Sequence, residues 1–331
     1  MHSIIITPFS SRALERLAQI LYILETQDRD VLITREKPMK SPLYSLLIIC
    51  LVAVQAVVFK PVFSKSIDPA IDKLVNRLTL DGLDKGYLQD LFSRSEFKLA
   101  PQAIARSLMR REATLNYAQF LEKYSVDRTI SYLKTHRITL ENMERDFGVS
   151  APLVVAILSV ETSCGRYMGS FQTVGILATQ AVSLEPAVYR QVIAHLPAQE
   201  KSNLDAGEIK KKLKKKSARA YRELKALLTF YKEQNRDPLT VKGSIEGAIG
   251  LPQFLPSNIK RYGFDGNGDG TIDLFQHKDA ITSVASFLRA HKWRDAKNYE
   301  QKKKIIRKYN PSDYYADTVL KLTELLANYW P

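Results

Sequence analysis

From about residue 67 to the carboxyl end, apolar residues recur at spacings of three and four, the period of a helix with one buried face. Leu140, Met143 and Phe147 form one such stripe, with Thr139 placed to cap it, Asn142 at its third position and Gly148 placed to end it. Ser150 is predicted to cap the next helix, with Pro152 in its first turn. There the pattern changes. Leu153, Ala156, Ile157 and Val160 make one stripe, while Val154, Val155 and Leu158 fill the other sides. A helix that is apolar all round is a buried helix. Tyr221, Leu224, Leu228 and Tyr231 predict a further helix over 217–235. Ile281, Val284 and Leu288 predict one over 279–291, and Tyr315, Val319, Leu322 and Leu326 one over 312–328. Strand alternation is scarce and no internal repeat is found, so the fold class is mainly α.

The amino-terminal part reads differently. Ser41 to Phe59 carries no formal charge and is rich in Leu, Ile and Val, and Arg35, Lys37 and Lys40 precede it. That pattern predicts a signal peptide or a short membrane anchor over 39–64, against the alternative of a buried core helix. Residues 1–38 are then an amino-terminal extension or a mis-assigned start. The expected location is outside the cytoplasm, exported or anchored to a membrane through 41–59.

Composition narrows the partners. Hydrophobic residues make up 45% and charged residues 25%, values that exclude wholesale disorder. Two cysteines, Cys50 and Cys164, exclude a disulfide scaffold, and no histidine sits in a zinc spacing. Lys+Arg number 49 against 35 Asp+Glu, a formal charge of +14, which favours an acidic partner. The run Lys210 to Lys216, broken only by Leu213, reads as a polyanion-binding strip or, more simply, as a solvated helix start or exposed loop. No aromatic residue is interleaved with it and no nucleic-acid-binding signature accompanies it, so nucleic acid is not the expected partner.

Three features carry candidate chemistry. Glu161 stands at the end of the apolar run, before Thr162-Ser163-Cys164-Gly165. Burial and the negative end of a helix both disfavour its ionised form, leaving an acid still protonated near neutrality. The alternative is a salt-bridged carboxylate, with Arg166 as the nearest partner. The second feature is Gly243 to Pro256, where three closely spaced glycines precede Gln253, whose amide is available to a ligand. The third is Asp265-Gly-Asn267-Gly-Asp269-Gly270-Thr271-Ile272-Asp273, which matches an EF-hand-like calcium loop at positions 1, 3, 5 and 9, with the Thr271 carbonyl at position 7. Gln276 replaces the bidentate Glu at position 12, so calcium binding is expected to be weakened; the alternative is an Asp/Gly-rich turn without an ion.

Taken together, these segments resemble the membrane-bound lytic murein transglycosylase B family. The segment Val155 to Gly169, containing Glu161, is similar to the family's catalytic segment, and Lys242 to Ser257 to its Gly-rich segment. The resemblance covers about 67–331 and implies a lysozyme-like α-helical domain over 65–331, with a helical lead-in (65–148) and a catalytic core (149–331). It implies Glu161 as single general acid/base, cleaving the MurNAc–GlcNAc β-1,4 bond of peptidoglycan strands to 1,6-anhydromuramyl products. It implies that Ser244 and Gln253 line the sugar groove, that Tyr309 and Asn310 stand at the cleavage site, and that Tyr117 is an upstream groove tyrosine. Calcium, held by Asp265, Asn267, Asp269, Thr271, Asp273 and Gln276, would be structural, and the protein a monomer. A muramidase of the same fold and a non-catalytic wall-binding protein remain as alternatives. Some thirty extra residues separate Glu161 from Gln253, around the lysine run. The stretch from Trp293 to Tyr309 is too short for the small β-rich lobe of better-known members.

Overall fold

Helix Ala151–Thr162 is buried along its whole length except at Glu161, as its all-round apolar pattern requires. The structure, a computed structural model, describes residues 68–109, 116–199 and 205–331. The extension 1–38 and the segment 39–64, with its uncharged run and Cys50, lie outside the described residues.

Three helices, Pro69–Leu80, Lys85–Ser93 and Pro101–Met109, lead in. A 3-10 turn, Tyr117–Leu121, then opens onto helices Lys123–Thr135 and Arg137–Phe147. Helix Ala151–Thr162 packs mainly against Asp313–Ala327, with Lys123–Thr135, Arg137–Phe147 and His277–Ala290 around it. Each fully buried Leu, Ile or Val on this helix contributes about 1.5–3 kcal/mol by leaving water. Its buried Ser159 hydroxyl is satisfied by Thr129 at 2.7 Å. A second group forms where the long helix Ala206–Glu233 packs on Thr173–Ala181 and Pro256–Tyr262. The described residues contain one two-stranded sheet, Phe171–Gln172 antiparallel to Lys242–Gly243, pairing Phe171 with Gly243.

Some local expectations are corrected. The helix expected to start at Thr139 begins at Arg137, so Thr139 lies inside it; Gly148 ends it in the left-handed conformation, φ 64°. Ser150 occupies the cap position of Ala151–Thr162, but its side chain makes no capping bond. The Glu144 carboxylate takes that role: Oε1 accepts from Ala151 N, while Oε2 accepts from the Trp330 indole at 2.8 Å, joining both neighbouring helices to the carboxyl end. The helix expected over 217–235 extends back to Ala206 and contains the whole lysine run. Ile209, Leu213 and Ala220 continue its buried stripe, and Lys210, Lys211, Lys212, Lys214 and Lys215 are exposed. Between Trp293 and Tyr309 stand a 3-10 turn, Trp293–Asp295, and helix Tyr299–Tyr309.

Candidate active site

Glu161 is the penultimate residue of its helix, and the chain leaves it through three consecutive positive-φ residues: Ser163 (52°), Cys164 (59°) and Gly165 (94°). Non-glycine residues in that region are strained and need external support. Thr162 supplies it. Its fully buried hydroxyl donates to Leu251 O at 2.9 Å and accepts from Gly165 N at 2.9 Å, tying the turn to the Gly-rich segment.

Burial pushes the Glu161 carboxyl up to about 7, against the opposing pull of a hydrogen bond from Tyr315. Tyr315 Oη donates to Oε1 at 2.7 Å. The alternative pairing with Arg166 is absent: the Arg166 guanidinium goes to the Tyr124 hydroxyl at 3.2 Å, and Glu161 makes no ion pair among the described residues. Burial, and then the charge of Glu161, raise the Tyr315 hydroxyl well above the usual tyrosine range, so it stays a proton donor.

The aromatic floor continues from Tyr315. Tyr309 stacks on it, with centroids 6.3 Å apart and planes 11° apart, and Tyr117 meets its edge at 6.5 Å. Tyr309 is held by Phe254 and Phe287 rings, and its hydroxyl donates to Pro252 O, next to Gln253. Tyr309 also feels the Glu161 charge, which, after burial, raises its hydroxyl well above the usual range. Asn310 follows at the helix end, half-buried, with Oδ1 accepting from Ser312 N at 3.2 Å.

Gln253 adopts φ 48°, and its Nε2 is spent on Gly250 O (2.9 Å) and Met168 O (3.2 Å). What its amide offers a ligand is therefore the carbonyl oxygen, an acceptor. Ser244 is also engaged locally: its Oγ accepts from Ala248 N at 3.1 Å and Glu246 N at 3.3 Å, leaving its proton for an acceptor. Gly169 and Gly243 bring these segments together, since a Cβ on Gly169 would lie 2.2 Å from Gly243 O. Glu161, Tyr117, Gln253, Tyr309 and, through Gly243, Ser244 thus belong to one connected region.

The Glu246 carboxylate is engaged by neighbouring cations. Lys216 Nζ reaches both its oxygens (2.7 and 2.9 Å), Arg219 reaches Oε2 at 2.5 Å, and Ser107 donates to Oε1. Burial alone would raise it, but Lys216 foremost, with Ser107 and Arg219, holds it below the usual range.

Residues Asp265–Gln276 form a separate unit strapped to the Gly-rich segment by Leu251 N donating to Leu274 O at 2.9 Å. Asp265 accepts from Gly268 N, Asp269 N and Gly270 N, and Asp269 from Thr271. Buried Asp279 accepts from Gly266 N, Asn267 N and Asp273 N. The turns gather oxygens at positions 1, 3 and 5, which suits a hard cation. Two members suit it poorly: Asp273 pairs with Arg236 at 3.0 Å, and Gln276 brings no charge. Among the described residues no group of three acidic, His or Cys side chains converges as a cage.

The sequence missed Tyr315 as a site residue, because it is indistinguishable there from the rest of an apolar stripe. It also missed the anchoring hydroxyl of Thr162.

Residues 66–305 match the family model described as the transglycosylase SLT domain, and the chain belongs to that family. It is 27% identical over 234 residues to membrane-bound lytic murein transglycosylase B of Escherichia coli, across 67% of this chain. The chain spans 56% of that relative's length. Among solved structures, the soluble lytic transglycosylase SltB1 of Pseudomonas aeruginosa superposes with TM-score 0.64 at 22% identity, covering 78% of this chain and all but 1% of its own. An Escherichia coli lytic transglycosylase in complex with calcium superposes with TM-score 0.61 at 22% identity, covering 79% of this chain and 93% of that one. Pseudomonas aeruginosa SltB3 in complex with NAG-anhNAM-pentapeptide gives 0.60 at 18%, covering 80% of each. The fold is thus the mainly α, lysozyme-like fold of these lytic transglycosylases.

Proposed function

We propose that the protein is a lytic transglycosylase that cleaves the MurNAc–GlcNAc β-1,4 bond of peptidoglycan and leaves 1,6-anhydromuramyl ends. The observation that carries this reading is Glu161: a carboxyl pushed up to about 7 by burial, touched by Tyr315 and, among the described residues, by no second carboxylate. Two-carboxylate glycosidases need a partner acid for water or for covalent attack. Here Glu246 is neutralised by Lys216 and Arg219, and Asp265, Asp269 and Asp273 serve the loop.

A single group then acts twice. Protonated Glu161 gives its proton to the glycosidic oxygen as the bond to C1 breaks. The substrate's own acetamido group stabilises the cationic centre. Ionised Glu161, held by the Tyr315 hydroxyl, takes the proton of the C6 hydroxyl as that oxygen bonds to C1. No water is consumed. The Gln253 oxygen, the Ser244 hydroxyl and the Asn310 amide orient the N-acetyl and neighbouring groups, and Tyr117 and Tyr309 support sugar faces.

The Asp265–Gln276 loop is read as a weak calcium site of structural role, held by Asp265, Asn267, Asp269 and the Thr271 carbonyl, with Asp273 and Gln276 its poor members. Its chemistry is electrostatic: bound calcium neutralises the loop carboxylates. The relative in Escherichia coli is named membrane-bound, and among the described residues no helix is long and apolar enough to cross a membrane. An exported or anchored protein facing the wall therefore rests on the 39–64 segment, and the substrate reading on the site. We take the protein to act as a monomer.

The test is digestion of intact peptidoglycan beside a Glu161→Gln control, read by mass spectrometry. Fragments one water lighter than reducing-end muropeptides, absent in the control, are expected. Reducing ends instead would make the enzyme a muramidase, and no Glu161-dependent release would leave a wall-binding protein.

A further inference from the structure

Beside the turn that follows Glu161, two tyrosines stand in solvent: Tyr124 is 67% exposed and Tyr167 64%. Two arginines are wedged against them. Arg166 donates to the Tyr124 hydroxyl at 3.2 Å and lies over the Tyr167 ring, 5.5 Å from its centroid. Arg128 lies over the Tyr124 ring at 5.1 Å. It also sits against the catalytic turn, because the Cys164 thiol, which burial pushes up to about 12, is drawn back by the Arg128 charge.

Neither guanidinium has a carboxylate partner among the described residues. Arg128 donates from Nη2 to the Ser125 hydroxyl at 3.3 Å, and its Nε is buried with no acceptor. A buried N–H without a partner is costly, and a structure that keeps one has an acceptor arriving from outside or a strain to explain. A guanidinium held by aromatic rings has lost little freedom left to lose, so an arriving anion meets a fixed, two-pronged donor. The exposed ring faces beside it suit the apolar faces of sugars and short aliphatic side chains.

We propose that Tyr124, Arg128, Arg166 and Tyr167 form a carboxylate-accepting platform that takes an acidic group of the peptide carried by the glycan strand. This deepens the peptidoglycan reading and rests on it. The strand's sugars are neutral in the intact polymer apart from their peptide substituents, so those carboxylates are the groups that two unpaired arginines can select. The platform begins five residues after the acid that cuts the chain, close enough to read the substituent of a sugar in the groove. Its effect is selection among strands: those whose peptides carry free carboxylates are held, and those whose peptide carboxylates are amidated are held less.

The experiment uses the whole chain with Glu161→Gln, which stops turnover, and measures dissociation constants for soluble peptide-bearing glycan oligomers and for the same oligomers with their peptide carboxylates converted to carboxamides. The readout is the ratio of the two constants, so a general weakening does not count. A preference of roughly tenfold for the free-carboxylate strands is expected at low salt, shrinking severalfold at high salt. The double variant Arg128→Gln/Arg166→Gln should bring the ratio close to one. Arg166→Lys, which keeps the charge at an exposed position and loses the fork, should keep part of the preference. An unchanged ratio in the double variant, or no preference in the parent, overturns the platform. Binding that prefers the free-carboxylate strands, from a parent enzyme that yields no anhydro product, would remove the proposed reaction and leave this site standing.

Discussion

The Tyr315 hydroxyl meets Glu161 Oε1 at 2.7 Å, from a ring only 2% exposed and 154 residues further along the chain. The bond favours the ionised carboxyl while burial favours the protonated one, and burial wins. An acid near 7 is balanced for a group that must give a proton and then take one. Tyr315→Phe removes only the opposing pull. The Glu161 pKa should then rise above about 7, moving the alkaline limb of kcat/KM upward by about 0.5–1 pH unit. The rate should fall by roughly tenfold, because the ionised intermediate loses its donor. A pH–rate profile with an unmoved alkaline limb would contradict this.

The same shift predicts a stability cost. The carboxyl's pKa is 4.5 when unperturbed and about 7 when folded, so the native state binds its proton more tightly than the unfolded chain. That stability is fully present below pH 4.5 and is lost as pH rises through 7. The loss is about 3 kcal/mol at pH 8. Glu161→Gln, neutral throughout, should therefore be inactive yet melt higher than the parent at pH 8. Thermal unfolding at pH 5 and pH 8 checks it, with the difference expected only at the higher pH.

Glu246 links the lysine-run helix to the turn that carries Ser244. Lys216 and Arg219 hold the carboxylate, and the Glu246 N–H donates to the Ser244 hydroxyl. Glu246→Ala leaves two half-buried cations without their acceptor, at a cost of about 1–3 kcal/mol. Because the groups meet at the Ser244 turn, KM should rise about threefold to tenfold with a smaller change in kcat. Since the Glu246 pKa is held below its ordinary value, the stabilisation is present above about pH 4.5 and lost below it. A variant that melts like the parent at pH 7 would refute this.

How much of this the sequence carried can be read from particular residues. The all-round apolar run marked both the buried helix and the odd carboxylate at its end, because burial and period are written into one short segment. The helices at 277–290 and 313–327 lie within two residues of their expected positions, since their stripes are regular. The start of the long helix was hidden: consecutive lysines obscure the stripe, although Ile209 and Leu213 continue it. Glu144 as cap for Ala151, Tyr315 as donor to Glu161 and Lys216 as partner of Glu246 were not legible. They depend on contacts between residues 7, 154 and 30 positions apart, which no local pattern records.

The Asp265–Gln276 loop offers the last test. Position 12 carries the neutral Gln276, which caps helix His277–Ala290 by position, and Asp273 is diverted to Arg236. Both features lower the negative charge available to a cation, so binding is expected only at roughly millimolar calcium. Gln276→Glu restores a bidentate carboxylate in place, and Arg236→Gln releases Asp273. Each should tighten calcium binding by about tenfold or more, and the double variant further. Calorimetric titration gives the affinities. Thermal melts with calcium or with chelator give the linked stabilisation, which reaches about 2.7 kcal/mol at a hundredfold excess over the dissociation constant. Cleavage of peptidoglycan should respond much less, because Glu161, Tyr315 and Gln253 do not belong to the loop. A Gln276→Glu protein with no calcium-dependent melting shift would show that these turns are closed by their own backbone donors and take no ion.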